Sequence, residues 1–144
     1  MRAPLGDGAA AAIVCSEAAL ANFPKSAQAR AVKIRTSTLS GGKYRNLDEP
    51  GLSKIAADKA YAKTGLKPAD FHLAEVHDAT SFCEIFQLEM MGLCPAGAGG
   101  KFVGSGATRL GGKIPVNVSG GLVSKGHPIG ATGQNSKIYL SVRQ

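Results

Sequence analysis

One segment concentrates the residue types that chemistry needs: Asn117-Val118-Ser119-Gly120-Gly121-Leu122-Val123-Ser124-Lys125-Gly126-His127-Pro128-Ile129-Gly130-Ala131-Thr132-Gly133. His127 stands between a glycine and a proline, in a loop that leads into an expected helix. Glycine lets backbone approach a ligand closely, and proline fixes the direction of the chain. An imidazole held this way can be aimed at a reacting oxygen or sulfur, to take a proton or to meet developing negative charge. The helix start that follows adds amide donors and a dipole that favours an anion. Glycine and proline are also ordinary turn residues, so Gly-His-Pro alone is equally a turn.

A second candidate is Glu75-Val76-His77-Asp78-Ala79-Thr80, at the end of an expected strand and the start of an expected helix. Strand C-termini are where ligands sit in α/β proteins, which favours His77. Asp78 or Thr80 also has an ordinary role there, as the cap of the next helix. His72 and His77 point to opposite faces of a strand and have the wrong spacing for a helical face, so no metal pair is expected. Other templates fail. The nucleophile elbow Gly-x-Ser-x-Gly is absent, as is the phosphate loop Gly-x-x-x-x-Gly-Lys-Ser/Thr. Gly104-Ser105-Gly106-Ala107-Thr108-Arg109 breaks the dinucleotide fingerprint at its third glycine.

The elements that must carry these residues follow from periodicity. Ala9 to Cys15 is small and apolar and reads as a short helix or a buried strand. Ser16 is placed to cap a helix over Glu17 to Asn22. Arg30 to Leu39 alternates in part, with Val32 and Ile34 against Lys33 and Arg35, and reads as a strand. Leu52, Ile55, Ala56 and Ala60 give one face of a helix over Leu52 to Lys63, with Gly65 to end it. Phe71 to His77 has strand character, with Leu73, Glu75 and His77 on one face and His72, Ala74 and Val76 on the other. A helix follows with Phe82, Ile85, Phe86 and Met90 as its buried stripe. After Pro95 glycines become dense, but Ile114, Val116, Val118, Leu122 and Val123 anchor what reads as tightly turned loops on a core. A last helix is expected over Thr132 to Val142. Strands alternating with helices favour a layered α/β domain.

With 144 residues and 44% hydrophobic content, the chain suits one globular domain with a real core. The longest apolar run falls well short of the roughly 20 residues a bilayer span needs. The start, Met1 to Asp7, lacks the apolar core of a secretory signal. Cys15, Cys83 and Cys94 form no Cys-x-x-Cys pair, so neither a disulfide framework nor a zinc site is indicated, and a cytoplasmic compartment is expected. The net charge of +7 is uneven: Lys101, Arg109, Lys113, Lys125, Lys137 and Arg143 stand in residues 101–144 without one acidic residue. Such a field attracts a phosphate-bearing partner. Only Phe102 and Tyr139 could stack on bases there, which disfavours nucleic acid and suits a phosphorylated small molecule such as coenzyme A. A solvated basic face accounts for the charge equally well.

Taken together these segments resemble the thiolase superfamily over nearly the whole chain. Asp7-Gly8-Ala9-Ala10-Ala11 resembles the strand that ends that family's N-terminal half. Gly126-His127-Pro128-Ile129-Gly130-Ala131-Thr132-Gly133 resembles its long and specific Gly-His-Pro-x-Gly-Ala-Ser/Thr-Gly motif. His77-Asp78-Ala79-Thr80 is similar to the His-Asp-Cys/Ala-Phe of the sterol-carrier-protein type, which Gly92-Leu93-Cys94-Pro95 and Leu110 to Asn117 also suit.

The resemblance implies a layered αβαβα fold of two paired halves. Residues 1–25 would end the N-terminal half, and residues 26–144 would form a C-terminal domain that stops short of the family's closing Cys-x-Gly segment. It implies an acyltransferase that makes or breaks a carbon–carbon bond in a 3-oxoacyl-CoA, with coenzyme A thioester as substrate and no covalently bound cofactor. Carried over by position, His127 would help activate the acylated cysteine and His77 would complete an oxyanion site. That cysteine belongs to the N-terminal half, and none of Cys15, Cys83 or Cys94 occupies its place. The implied partners are an N-terminal half or a partner subunit, within a homo-oligomer. Ala79 stands where the sterol-carrier type can have a cysteine, which fits a retro-aldol lyase; a non-catalytic CoA-binding subunit is the remaining alternative.

Overall fold

The computed structural model describes residues 1–42, 44–46 and 49–135. Two short helices open it. In α1, Glu17–Leu20, the Ser16 side chain accepts from Ala19 N as the N-cap position requires. Pro24, with no amide proton to lose, starts α2, Lys25–Gln28. The first long helix, α3, covers Leu52–Thr64 and ends at Gly65, whose φ of 72° is the left-handed cap that glycine adopts at little cost. A 3-10 turn over Pro68–Asp70 leads into the extended segment of His77. Thr80 then caps α4, Ser81–Met90, through Cys83 N. Helices α5 (Gly99–Gly104), α6 (Gly121–Lys125) and α7 (Ile129–Asn135) complete the described residues.

The core gathers Phe71, Ala74, Val76, Leu88, Met91, Leu93, Cys94 and Ile114. It lies where α4 packs against α3 and α5. Tyr61 of α3 is partly buried against it, and its hydroxyl donates to the Met91 carbonyl at 2.6 Å. The buried line of α4 runs through Leu88 to Met91, not through the expected stripe. Ile85, Phe86 and Met90 are half-buried and Phe82 is exposed, because Phe86 and Met90 turn toward Gly51 at the start of α3.

Strand pairing is sparser than the periodicity predicts. Among the described residues it is limited to three isolated bridges, Arg2 with Thr80, Leu5 with His127, and Ala74 with Val116. The αβαβα layering is therefore not seen here. Residues 9–15 form neither the expected helix nor a buried strand, and residues 30–39 form no strand. Ile13, Val14, Val32, Ile34 and Leu39 are exposed, on backbone that forms no strand. The final helix begins at Ile129, three residues before the expected start, and the remainder of that expectation lies outside the described residues.

Candidate functional site

The two histidines singled out by their motifs meet. The His77 and His127 rings lie edge to face, with centroids 5.0 Å apart and planes at 76°. They are 50 positions apart in the chain, so the fold creates the pair. His77 closes the extended segment that follows the Ala74–Val116 bridge. His127 precedes α7, and its amide donates to the Pro4 carbonyl at 2.8 Å. Ala3 N in turn donates to the Ala79 carbonyl at 2.9 Å, so residues 3–5 run between the two histidine-bearing segments.

The local bonds fix the state of the His127 ring. Its Nδ1 lies 2.7 Å from Thr132 Oγ1, and that hydroxyl donates to the Pro128 carbonyl at 2.9 Å. A hydroxyl has one proton, so with it directed at Pro128 the ring nitrogen is the donor. The Nδ1–H tautomer results, leaving the Nε2 lone pair to take a proton. His77 is exposed, yet the covered part of its ring is desolvated; this and the His127 imidazole lower its pKa below the ordinary 6.5, against a smaller opposing effect of Asp78. It is therefore biased to the neutral form, which still carries one N–H for an oxyanion.

Several residues that local periodicity did not single out build this arrangement. Asn117, at φ 51°, donates its backbone amide to the Ala74 carbonyl and accepts from Val76 N at its Oδ1, both at 2.8 Å. Its Nδ2 donates to Glu84 Oε2 at 3.4 Å. Burial first and Asp78 second push the Glu84 carboxyl up, with the Asn117 bond opposing. Glu75 is buried, and its two oxygens accept from Ser119 N at 2.9 Å and Ser119 Oγ at 2.6 Å. Asp78 is buried too and accepts from Leu122 N at 2.7 Å; it thus meets the first turn of α6 instead of capping α4, the role Thr80 takes. At Gly121, φ 60°, any side chain would strike the Asp78 carboxylate.

Other candidates are placed apart from the pair or take other roles. His72 is exposed. Cys15 is exposed, Cys83 partly buried and Cys94 buried, all as free thiols; the Cys83 sulfur accepts from Thr80 Oγ1 at 3.1 Å. Lys101, Arg109, Lys113 and Lys125 are exposed. A groove between α4 and the residues leading into α3, lined by Phe82, Phe86, Met90 and Lys54, includes neither histidine. Among the described residues no group of three His, Cys, Asp or Glu is arranged to hold a metal ion. No described helix is long and apolar enough to cross a membrane.

The model of the thiolase C-terminal domain-like family matches residues 40–144. The chain belongs to the thiolase superfamily, in its C-terminal portion. Sterol carrier protein 2 of Bos taurus is 44% identical over 136 residues, spanning 90% of this chain and 25% of that protein. Benzoylsuccinyl-CoA thiolase subunit BbsB of Thauera aromatica is 35% identical over 144 residues, 97% of this chain and 36% of the subunit. Among solved structures, an Ltp2-ChsH2(DUF35) aldolase superposes with a TM-score of 0.60 at 26% identity, over 69% of this chain and 28% of that one. A thiolase-like fold is thus supported, and the chain spans about a quarter to a third of the length of these relatives.

Proposed function

We propose that this chain supplies the histidine pair of a thiolase-like acyltransferase that makes or breaks the carbon–carbon bond of a 3-oxoacyl-CoA. The observation that carries this reading is the meeting of His77 and His127 at 5.0 Å, with His127 Nδ1 at 2.7 Å from Thr132 Oγ1. In the degradative direction, His127 Nε2 takes the proton of a cysteine thiol contributed by an N-terminal thiolase half. The sulfur attacks the 3-oxo carbon, and the bond between C2 and C3 breaks with its electron pair moving into the thioester enolate. His77 donates its N–H to the oxygen on which that charge develops. Residues 1–25 close the N-terminal half and 26–144 form the C-terminal domain. The whole enzyme works as a cytoplasmic homo-oligomer on acyl-CoA substrates and needs no bound cofactor.

A second reading, retro-aldol cleavage of a 3-hydroxyacyl-CoA, is favoured by two observations. Ala79 offers no thiol beside His77, and the superposed solved structure is described as an aldolase. One experiment separates the readings. The chain is combined with an N-terminal thiolase half that carries a reactive cysteine, and products from 3-oxoacyl-CoA plus CoA are compared with those from 3-hydroxyacyl-CoA. Thiolysis lost on His127→Ala and strongly slowed on His77→Ala supports the acyltransferase. Release of an aldehyde or ketone from the hydroxy substrate supports the lyase. CoA binding without turnover of either leaves only a non-catalytic subunit.

A further inference from the structure

The separation of the two imidazoles does not maintain itself. The rings share no hydrogen bond in their edge-to-face contact, and when both are charged they repel. Direct backbone pairing between the two segments stops early. Ala74 N donates to the Pro115 carbonyl at 2.9 Å and Asn117 N to the Ala74 carbonyl at 2.8 Å; two residues beyond Ala74, Val76 N already depends on a side chain, Asn117 Oδ1.

Residues 3–5 bond both histidine-bearing segments through Ala3 N to the Ala79 carbonyl and His127 N to the Pro4 carbonyl, and beside them the direct link from the His77 segment to the turn before His127 is made by carboxylates. Glu75 and Asp78 flank His77, and both are only 5% exposed. Burying a carboxylate costs several kcal/mol unless its oxygens are hydrogen-bonded. Here they are bonded, and to one turn: Ser119 N and Ser119 Oγ on Glu75, and Leu122 N on Asp78. Lys125 Nζ donates to Ser119 Oγ at 2.8 Å, so a carboxylate, a hydroxyl and an ammonium form a continuous line. Its ends are Glu75, two residues before His77, and Lys125, two residues before His127. Gly121 leaves room for the Asp78 half of the contact, since a Cβ there would overlap the carboxylate.

We propose that Glu75 and Asp78 are positioning residues that fasten the Ser119–Leu122 turn and so set the distance between His77 and His127, with Lys125 completing the link through Ser119. The inference rests on the reading of His77 and His127 as the working pair. It deepens that reading by assigning what holds them. Charge-assisted bonds of 2.6–2.9 Å suit the task, because they are short and directional and resist the sliding that exposed loops permit. Asp78 accepts from an amide in the first turn of α6, Leu122 N. The two hydrogen bonds of Glu75 to Ser119 lie outside that helix and tie the turn before it to the His77 segment.

The test reads the contact itself. The 144-residue chain carries three histidines, and with 13C-labelled imidazoles each titrates separately by NMR. In the unaltered chain, His127→Ala raises the His77 midpoint, because His127 is one of the groups that lower it. Asp78 acts on His77 directly as a charge, so Glu75→Gln is the informative variant. In the Glu75→Gln background, the His77 midpoint is expected to start higher, and the further shift on His127→Ala to shrink to less than half. An undiminished shift would overturn the proposal. Should Glu75→Gln fail to melt cooperatively, Ser119→Ala combined with Lys125→Met changes only exposed residues, and the same comparison decides. Failure of the functional reading is distinct. It shows as thiolysis and aldol cleavage both untouched by His77→Ala and His127→Ala, whatever the titrations report.

Discussion

Two parts of the molecule, both with many apolar residues, behave in opposite ways. Residues 71–127 contain the buried cluster and the carboxylate-held turn, and their extended segment around Ala74 is bridged and covered. Residues 8–39 contain Ile13, Val14, Val32, Ile34 and Leu39, at least 61% exposed each, on backbone without strand partners among the described residues. The difference teaches where apolar pattern becomes structure. In the first part a covering helix, α4, and a bridging segment, 114–117, lie within reach. In the second, aliphatic side chains have no opposing face. Burial is roughly worth 25 cal/mol per Å² only when something covers the area. The histidine pair lies in the covered part, with residues 3–5 and Thr132 bonded to it from outside.

The largest expected effect tests that division. Leu88, 0% exposed between α4 and the core, loses its packing on substitution by Ala, which costs about 2–5 kcal/mol. That is a large share of the roughly 5–15 kcal/mol typical of a domain. The paired change Val32→Ser and Ile34→Ser, at 78% and 61% exposed, is expected to cost no more than about 0.5 kcal/mol per site. Urea unfolding followed by circular dichroism measures both. If the paired change matches Leu88→Ala, residues 30–39 are covered in solution and the contrast disappears.

What the sequence made legible divides along the same line. Ser16 and Gly65 were readable because a cap acts on amides and carbonyls within a turn of itself. The α3 and α4 helices followed from apolar spacing, although the buried line of α4 shifted to Leu88, since spacing does not say which face a neighbour covers. The histidines were legible from motif. Glu75, Asn117 and Thr132 were not: Glu75 bonds Ser119, 44 positions away, Asn117 bonds Val76, 41 positions away, and Thr132 matters only once His127 has been placed. Alternation put Glu75 on one face with Leu73 and His77 and did not say that it would be buried; its bonds to Ser119 have no local signature. The strand expected over 30–39 failed for the converse reason. Alternation is necessary for a half-buried strand, but pairing needs a second edge.

An intermediate effect sharpens the picture of the covered part. Tyr61 joins α3 to the residue that ends α4 through its bond to the Met91 carbonyl. Burial, with Asp58 adding to it, pushes its phenol up to about 12. Tyr61→Phe keeps the ring against Phe71, at 5.9 Å between centroids, and removes the one hydroxyl. The expected loss is about 1 kcal/mol, the net value of a typical hydrogen bond. Ultraviolet titration of the parent chain should show a tyrosine ionising at about 12, absent in the variant. A titration without that late step would mean that the α3–α4 contact opens readily.

The smallest effect concerns pH and the histidine pair. His77 has its pKa lowered in the folded chain, so the unfolded chain binds this proton more readily. Stability therefore falls as pH drops through the ordinary 6.5 toward the lowered folded value, and levels off below it. Glu84 acts in the opposite sense: its raised carboxyl takes up a proton earlier in the fold, which adds stability as pH falls toward 4.5. Subtraction separates the two, since His77→Gln removes the first contribution and leaves the second. The variant should lose less stability than the parent between pH 7 and the lowered His77 value, a modest difference because the ring is exposed and solvent screens it. Thermal melts at half-unit pH steps measure this, and identical curves would mean that neither burial nor the His127 imidazole lowers the His77 pKa in solution.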